Sequence, residues 1–230
     1  MMRLVLIGEG HGETSALPVL VKKCLSEKGQ ALPVFVDKDV IRLPSSRVFR
    51  RHEGTDQPDL AEWLKAVTIG VRRQDTVAVL AIYDGDLRFF PPGSQIRFCA
   101  ARVAKALAAK GKEIGAGRAF SLSVVFACVE YETWLVAGIE SLRGRPTADG
   151  RLLIPKTATF PSGEAESHAK RWLERNCPDY RPNRDQSALT ELLDLSCVRS
   201  KKLRSFRRFE HALEQLIEAA VTGSHISSPG

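Results

Sequence analysis

Apolar residues recur along the chain in two rhythms, short continuous runs and helical spacings, and over the first 140 residues the two alternate. Leu4-Val-Leu-Ile7 is an apolar run closed by glycines, which predicts a buried strand. Leu17, Leu20, Val21, Cys24 and Leu25 then fall at helical spacing, with Lys22, Lys23, Glu27 and Lys28 on the other faces. Ser15 suits the N-cap of that helix, which puts Pro18 in its first turn, and Gly29 suits its end. Leu32 to Val36 reads as a second strand and the polar stretch 44–58 as a loop. Asp59 to Val71 reads as a helix, with Leu60, Trp63, Leu64 and Val67 on one face.

Thr76 to Tyr83 is the longest β-like run, and it stops at Asp84-Gly85-Asp86. Pro91-Pro92-Gly93 marks a turn before a helix over about 94–110 that buries Ile96, Ala100, Val103, Ala104 and Leu107. Leu122 to Ala127 is a further strand, followed by Glu130, Glu132, Trp134 and a short helix. Strands alternating with helices predict an α/β fold built on a parallel sheet, and near-continuous apolar strands predict helices on both faces.

After about residue 142 the pattern changes. Residues 143–163 look irregular, and helices are predicted at about 164–176, 185–194 and 202–221, the last with an apolar stripe of Phe206, Phe209, Leu213, Leu216, Ile217 and Ala220. The expected division is an α/β domain over 1–142, a mostly helical C-terminal extension over 143–221, and a disordered tail over 222–230.

Composition narrows the function classes. A chain of 230 residues builds one or two domains and a sizeable core without disulfides. The five cysteines are scattered with no C-x-x-C pair, which argues against a secreted disulfide scaffold and a zinc site, so most are expected to be small buried hydrophobes. The first apolar run is too short for a signal peptide, and no stretch approaches the roughly 18 apolar residues of a membrane helix. A cytoplasmic protein without a membrane partner is expected. The net charge of +7 suits a polyanionic partner such as DNA or RNA.

In a parallel sheet, chemistry sits beyond the carboxyl ends of the strands. The first strand delivers Glu9 and Glu13, the middle one Asp84 and Asp86, and the last Glu130 and Glu132. Carboxylates gathered in one crevice cannot all stay ionised without a cation, and Mg2+ or Mn2+ takes such hard oxygen ligands together with substrate phosphates. The glycines at 8, 10 and 12 invite a dinucleotide reading, but the third comes one place early and no G-K-[ST] follows. Two carboxylates at the helix N-terminus would also repel a bare phosphate.

Glu9-Gly10-His11-Gly12-Glu13 between strand and helix, followed by a strand ending in Asp84-Gly85-Asp86, resembles the motif pair of the Toprim domain. The chain is similar to small bacterial Toprim-like proteins related to OLD-type nucleases, with Tyr131-Glu132-Thr133-Trp134-Leu135 and Ser205-Phe206-Arg207 as further points of likeness. The resemblance covers residues 1 to about 140 and is thin beyond. It implies a Toprim/Rossmann-like sheet, Glu9, Asp84 and Asp86 as main metal ligands and catalytic residues, and Glu13 as a second-site ligand. Glu132 is added as a ligand by its place after the last strand. It also implies an ABC-type ATPase partner and a role in phage defence.

Arg199, Lys201, Lys202, Arg204, Arg207 and Arg208 form a basic stretch read as a phosphate-backbone track or as a solvated helix face. Arg47, Arg50, Arg51 and His52 form a second basic loop, and His11 sits in a variable slot of the acidic motif. Trp63, Trp134 and Trp172 read as core. The function these features favour is a metal-dependent nuclease acting on DNA or RNA. Two alternatives stay open: a non-catalytic Toprim-like binding subunit, and a small-molecule phosphatase. Arg88 stands where the threonine of a D-x-D-x-T phosphatase motif would be, which lowers the latter. Assembly with copies of itself is neither required nor excluded by the sequence.

Overall fold

In the computed structural model, which describes residues 1–27, 34–48, 60–85, 99–159 and 165–230, the first apolar run becomes strand β1 (Met2–Gly8). Leu4 to Ile7 are fully buried, and successive side chains face opposite sides of the sheet. Leu4 and Leu6 enter one core, Val5 and Ile7 the other. The same division runs along β4 (Thr76–Asp84) and β5 (Ser121–Ala127), and all seven residues of β5 are buried. Burial on both faces is why these strands lack a polar alternation.

All the strand pairs among the described residues are parallel. β1 pairs with β4 and β4 with β5, while β2 (Val34–Val36) and β3 (Ile41–Arg42) lie in turn along the other side of β1. β6 (Ser227–Ser228) closes the far edge beside β5. The fold is therefore α/β, a parallel sheet flanked by helices.

One face is covered by α3 (Ala61–Val71) and α4 (Ala100–Gly111), whose Trp63, Val67 and Leu107 pack among Val79, Tyr83 and Phe126. The short α2 (Ser45–Val48) adds Val48 to this core, where a loop was expected. The other face carries α1 (His11–Ser26), α5 (Glu132–Ala137), α6 (Ile139–Leu142), α7 (Ala165–Asn176), α8 (Pro182–Leu192), α9 (Leu195–Ser200) and α10 (Arg204–Thr222). Trp134 of α5 meets Phe206 and Phe209 of α10 at ring-centroid distances of 5.5 and 5.3 Å, and its indole N–H donates to Ser205 Oγ over 3.0 Å. The helices beyond residue 142 share one core with Leu4, Leu80 and Val125 of the sheet. Among the described residues no helix is long and apolar enough to cross a membrane.

Three local expectations are corrected. α1 begins at His11 rather than after Ser15, so Pro18 lies inside it. The reason is Glu13, whose carboxylate accepts from the N–H groups of Gly10 and Glu9 and so caps the helix from within its first turn. The tail is not disordered: Leu122 N–H donates to the Ile226 carbonyl over 2.8 Å, Ser227 Oγ to the Ala108 carbonyl over 2.8 Å, and Ser228 Oγ lies 3.2 Å from Ser123 Oγ. An otherwise bare strand edge supplies those partners. Only Cys24 and Cys177 of the five cysteines are buried, because Cys99 and Cys128 fall at element ends.

Candidate active site

Glu9 follows the last residue of β1, Asp84 is the last of β4, and Glu132 opens α5 just beyond β5. The parallel register sets Gly8 beside Ile82 and Asp84 beside Ala127, so the three strand ends lie level. Hydrogen bonds then hold the acids in place. Asp84 N–H donates to Glu9 Oε2 over 3.3 Å, and Tyr131 N–H to Asp84 Oδ1 over 2.8 Å. Ser45 Oγ donates to Glu9 Oε1. Glu13 Oε2 accepts from Gly10 N–H at 2.6 Å and Glu9 N–H at 3.1 Å. Glu132 Oε1 accepts from Gln186 Nε2 at 2.9 Å and from the Tyr180 hydroxyl at 3.3 Å.

Electrostatics shows how closely these groups feel one another. Burial pushes the Glu13 carboxyl up to about 7 against the Gly10 hydrogen bond, and the charges of Glu9 and Glu132 push the same way. Asp84 is held well above the usual carboxylate range by desolvation, then by the charges of Glu13, Glu132 and Glu9, with the Tyr131 N–H opposing. Glu132 is raised mainly by burial, with Glu130 adding to the rise, while Lys170 and the Gln186 amide pull it down. Neither Glu13, Asp84 nor Glu132 forms an ion pair with Lys or Arg among the described residues.

The chemistry of this donor set fits a divalent cation such as Mg2+ or Mn2+: carboxylate oxygens on neighbouring strand ends, whose mutual repulsion a positive ion relieves. Among the described residues no group of three or more His, Cys, Asp or Glu side chains is placed to hold a metal ion. Asp86 lies outside the described residues, as do Arg50, Arg51, His52 and Arg88. Gly85, between the two aspartates, serves the backbone as well. Its N–H donates to the Ala127 carbonyl over 2.7 Å, and a Cβ there would come within 2.5 Å of that oxygen.

The basic stretch divides. Arg199 bridges Glu27 and Glu210 at 2.7 Å each, and Lys201 meets Glu140 at 3.0 Å. Lys202, Arg204 and Arg207 are exposed, and Arg208 lines a small cavity with Phe126 and Gly230. Because α10 leads back through Ile226 to the start of β5 and its Ser205 touches Trp134, its Arg204 end lies at the carboxyl end of the sheet, on the side of the acids. Arg47 is exposed on α2, and His11 is exposed at the start of α1. Glu130 faces α7, accepting from Lys170 N–H over 2.7 Å.

Sequence reasoning missed Ser45, Lys170, Tyr180 and Gln186. For Gln186 a signal existed: Asp185, Gln186, Leu189, Thr190 and Leu193 share one helical stripe, so polar residues lie where apolar ones belong. Residues 8–214 match the model of a family described as a domain of unknown function, DUF4276. No curated protein and no solved structure matches the chain.

Proposed function

The chain belongs to the DUF4276 family, a domain of unknown function, and from the acids at the carboxyl end of its sheet we propose that it is a divalent-metal-dependent nuclease, Toprim-like in its use of acids. The observation that carries this reading is the meeting of Glu9, Glu13, Asp84 and Glu132, each of the last three holding its proton more tightly because of burial and a neighbouring carboxylate's charge. A site meant only for stability would pair such acids with Arg or Lys, as Asp37 is paired with Arg3 and Arg73 at 2.8 and 2.9 Å.

Glu9, Asp84 and Asp86 would hold Mg2+ or Mn2+, with Glu132 and the free oxygen of Glu13 beside them. The bound cation would acidify a water and stabilise charge on the phosphodiester. The chain's own part is orientation. Ser45 and the Asp84 N–H fix Glu9, and the Tyr131 N–H fixes Asp84. Arg204, Arg207, Arg208 and Lys170 would receive the phosphate oxygens of DNA or RNA.

Polymer and small-molecule substrates are separated by one comparison. The protein with Mg2+ or Mn2+ is offered nucleic acid and, separately, a generic phosphate monoester. Cutting of the polymer without turnover of the monoester supports the nuclease. The reverse outcome would establish a phosphatase instead.

A further inference from the structure

Glu132 is held by two neutral donors from the far part of the chain. The residue is 2% exposed, and its Oε1 accepts from the Gln186 amide at 2.9 Å and the Tyr180 hydroxyl at 3.3 Å. Both donors are buried, Gln186 at 2% and Tyr180 at 1% exposure. A neutral donor orients a carboxylate and favours its charged form without cancelling the charge, as a contacting Arg or Lys would.

The other end of the amide has no such partner. Its Oε1 is buried with no hydrogen-bond partner among the described residues, and it points at Gly12, where an added Cβ would come within 2.2 Å of it. Leaving a buried acceptor unsatisfied forfeits its hydration with nothing in return, and an apolar residue on this stripe would avoid that cost. Such a residue would also strip the buried Glu132 of a donor, so Gln186 is placed for the carboxylate it serves.

We propose that Gln186 and Tyr180 are positioning residues that hold Glu132 toward the cation, so that the metal site is completed by the C-terminal helices rather than by the strand ends alone. This rests on the nuclease reading of the strand-end acids. It adds that Tyr180, just before α8, and Gln186, within it, set the affinity for the ion.

The test uses the full chain as wild type, Gln186→Leu and Tyr180→Phe. Mn2+ binding is followed by calorimetry at neutral pH, and unfolding midpoints are measured without metal. Residues that orient metal ligands typically alter affinity 10–100-fold. The expected result is a loss of about that size for Gln186→Leu and of several-fold for Tyr180→Phe in the affinity of the folded protein, whatever the change in the metal-free midpoint. Lowered midpoints with unchanged affinity of the folded protein would make both residues structural and overturn the proposal. Should Gln186→Leu fail to fold, Tyr180→Phe decides alone. A wild type that binds no Mn2+ overturns the metal reading and this proposal together, whereas tight binding equal in all three proteins overturns this proposal only.

Discussion

The backbone N–H of Tyr131 donates to the Asp84 carboxylate over 2.8 Å, joining the last residue of β4 to the turn before α5. That bond favours the charged form of Asp84. Desolvation and the charges of Glu13, Glu132 and Glu9 oppose it and prevail, so the carboxyl stays well above its usual range. Burial and neighbouring acids thus favour the neutral, protonated form of Asp84, and its ionisation is what a nearby positive charge would favour.

A pH dependence follows, and its sign is fixed. Glu13 is raised on folding from 4.5 to about 7, which corresponds to about 3 kcal/mol. Its contribution is fully present below 4.5 and is lost as pH rises through about 7. Asp84 and Glu132 are raised too and act in the same direction. Asp37 and Asp185, lowered by their arginine partners, lose their contribution only as pH falls below the ordinary carboxylate range. In chelator, the unfolding midpoint should therefore fall on the order of 5–10 °C between pH 5 and 8. Glu13→Gln should flatten that slope, and Mg2+ should restore the midpoint at pH 8. A slope that Glu13→Gln leaves untouched would show that Glu13 is not the group that titrates.

Gly12→Ala should damage the junction between α1 and α8. The new Cβ would stand 2.6 Å from the Pro182 carbonyl, a backbone atom that cannot step aside, as well as against Gln186. Overpacking of this kind costs about 1–3 kcal/mol. The denaturant midpoint should drop accordingly, and Mn2+ affinity should drop with it because Glu132 loses its donor. A fully stable Gly12→Ala would mean that the two helices can separate freely.

The strands were legible because burial on both faces leaves one signature, a continuous apolar run, as in Thr76 to Tyr83. Glu9 and Asp84 were legible for a related reason: the chain turns polar where the sheet ends. The start of α1 was not, because Gly10 offers no capping side chain and the cap comes from Glu13, a residue marked out for metal. Ser227 and Ser228 look like tail residues until the β5 edge and the Ala108 carbonyl supply partners. Tyr180 and Gln186 meet Glu132 across some 50 residues of sequence, and only the packing of α8 on α1 brings them there.

Exposed and paired cations in the basic stretch should behave differently. Arg204→Ala and Arg207→Ala should weaken nucleic-acid binding across sequences. Each should also lower the slope of log affinity against log salt by about one, because one fewer phosphate is neutralised. Arg199→Ala removes ion pairs to Glu27 and Glu210 and should leave the salt slope nearly as it was. Fluorescence anisotropy at several salt concentrations reads both. Equal effects at Arg199 and Arg204 would mean that the face bearing the acids is not the one that meets phosphate.

The most direct test compares the wild type with Asp84→Asn and Glu9→Gln on supercoiled plasmid, single-stranded DNA and total tRNA, in Mg2+, Mn2+ or EDTA. The expected result is cleavage of at least one polymer by the wild type, abolished by EDTA and slowed about 100-fold or more in both variants. Cleavage that survives EDTA, or variants that cut as fast as the wild type, would contradict a metal-dependent nuclease built on these carboxylates.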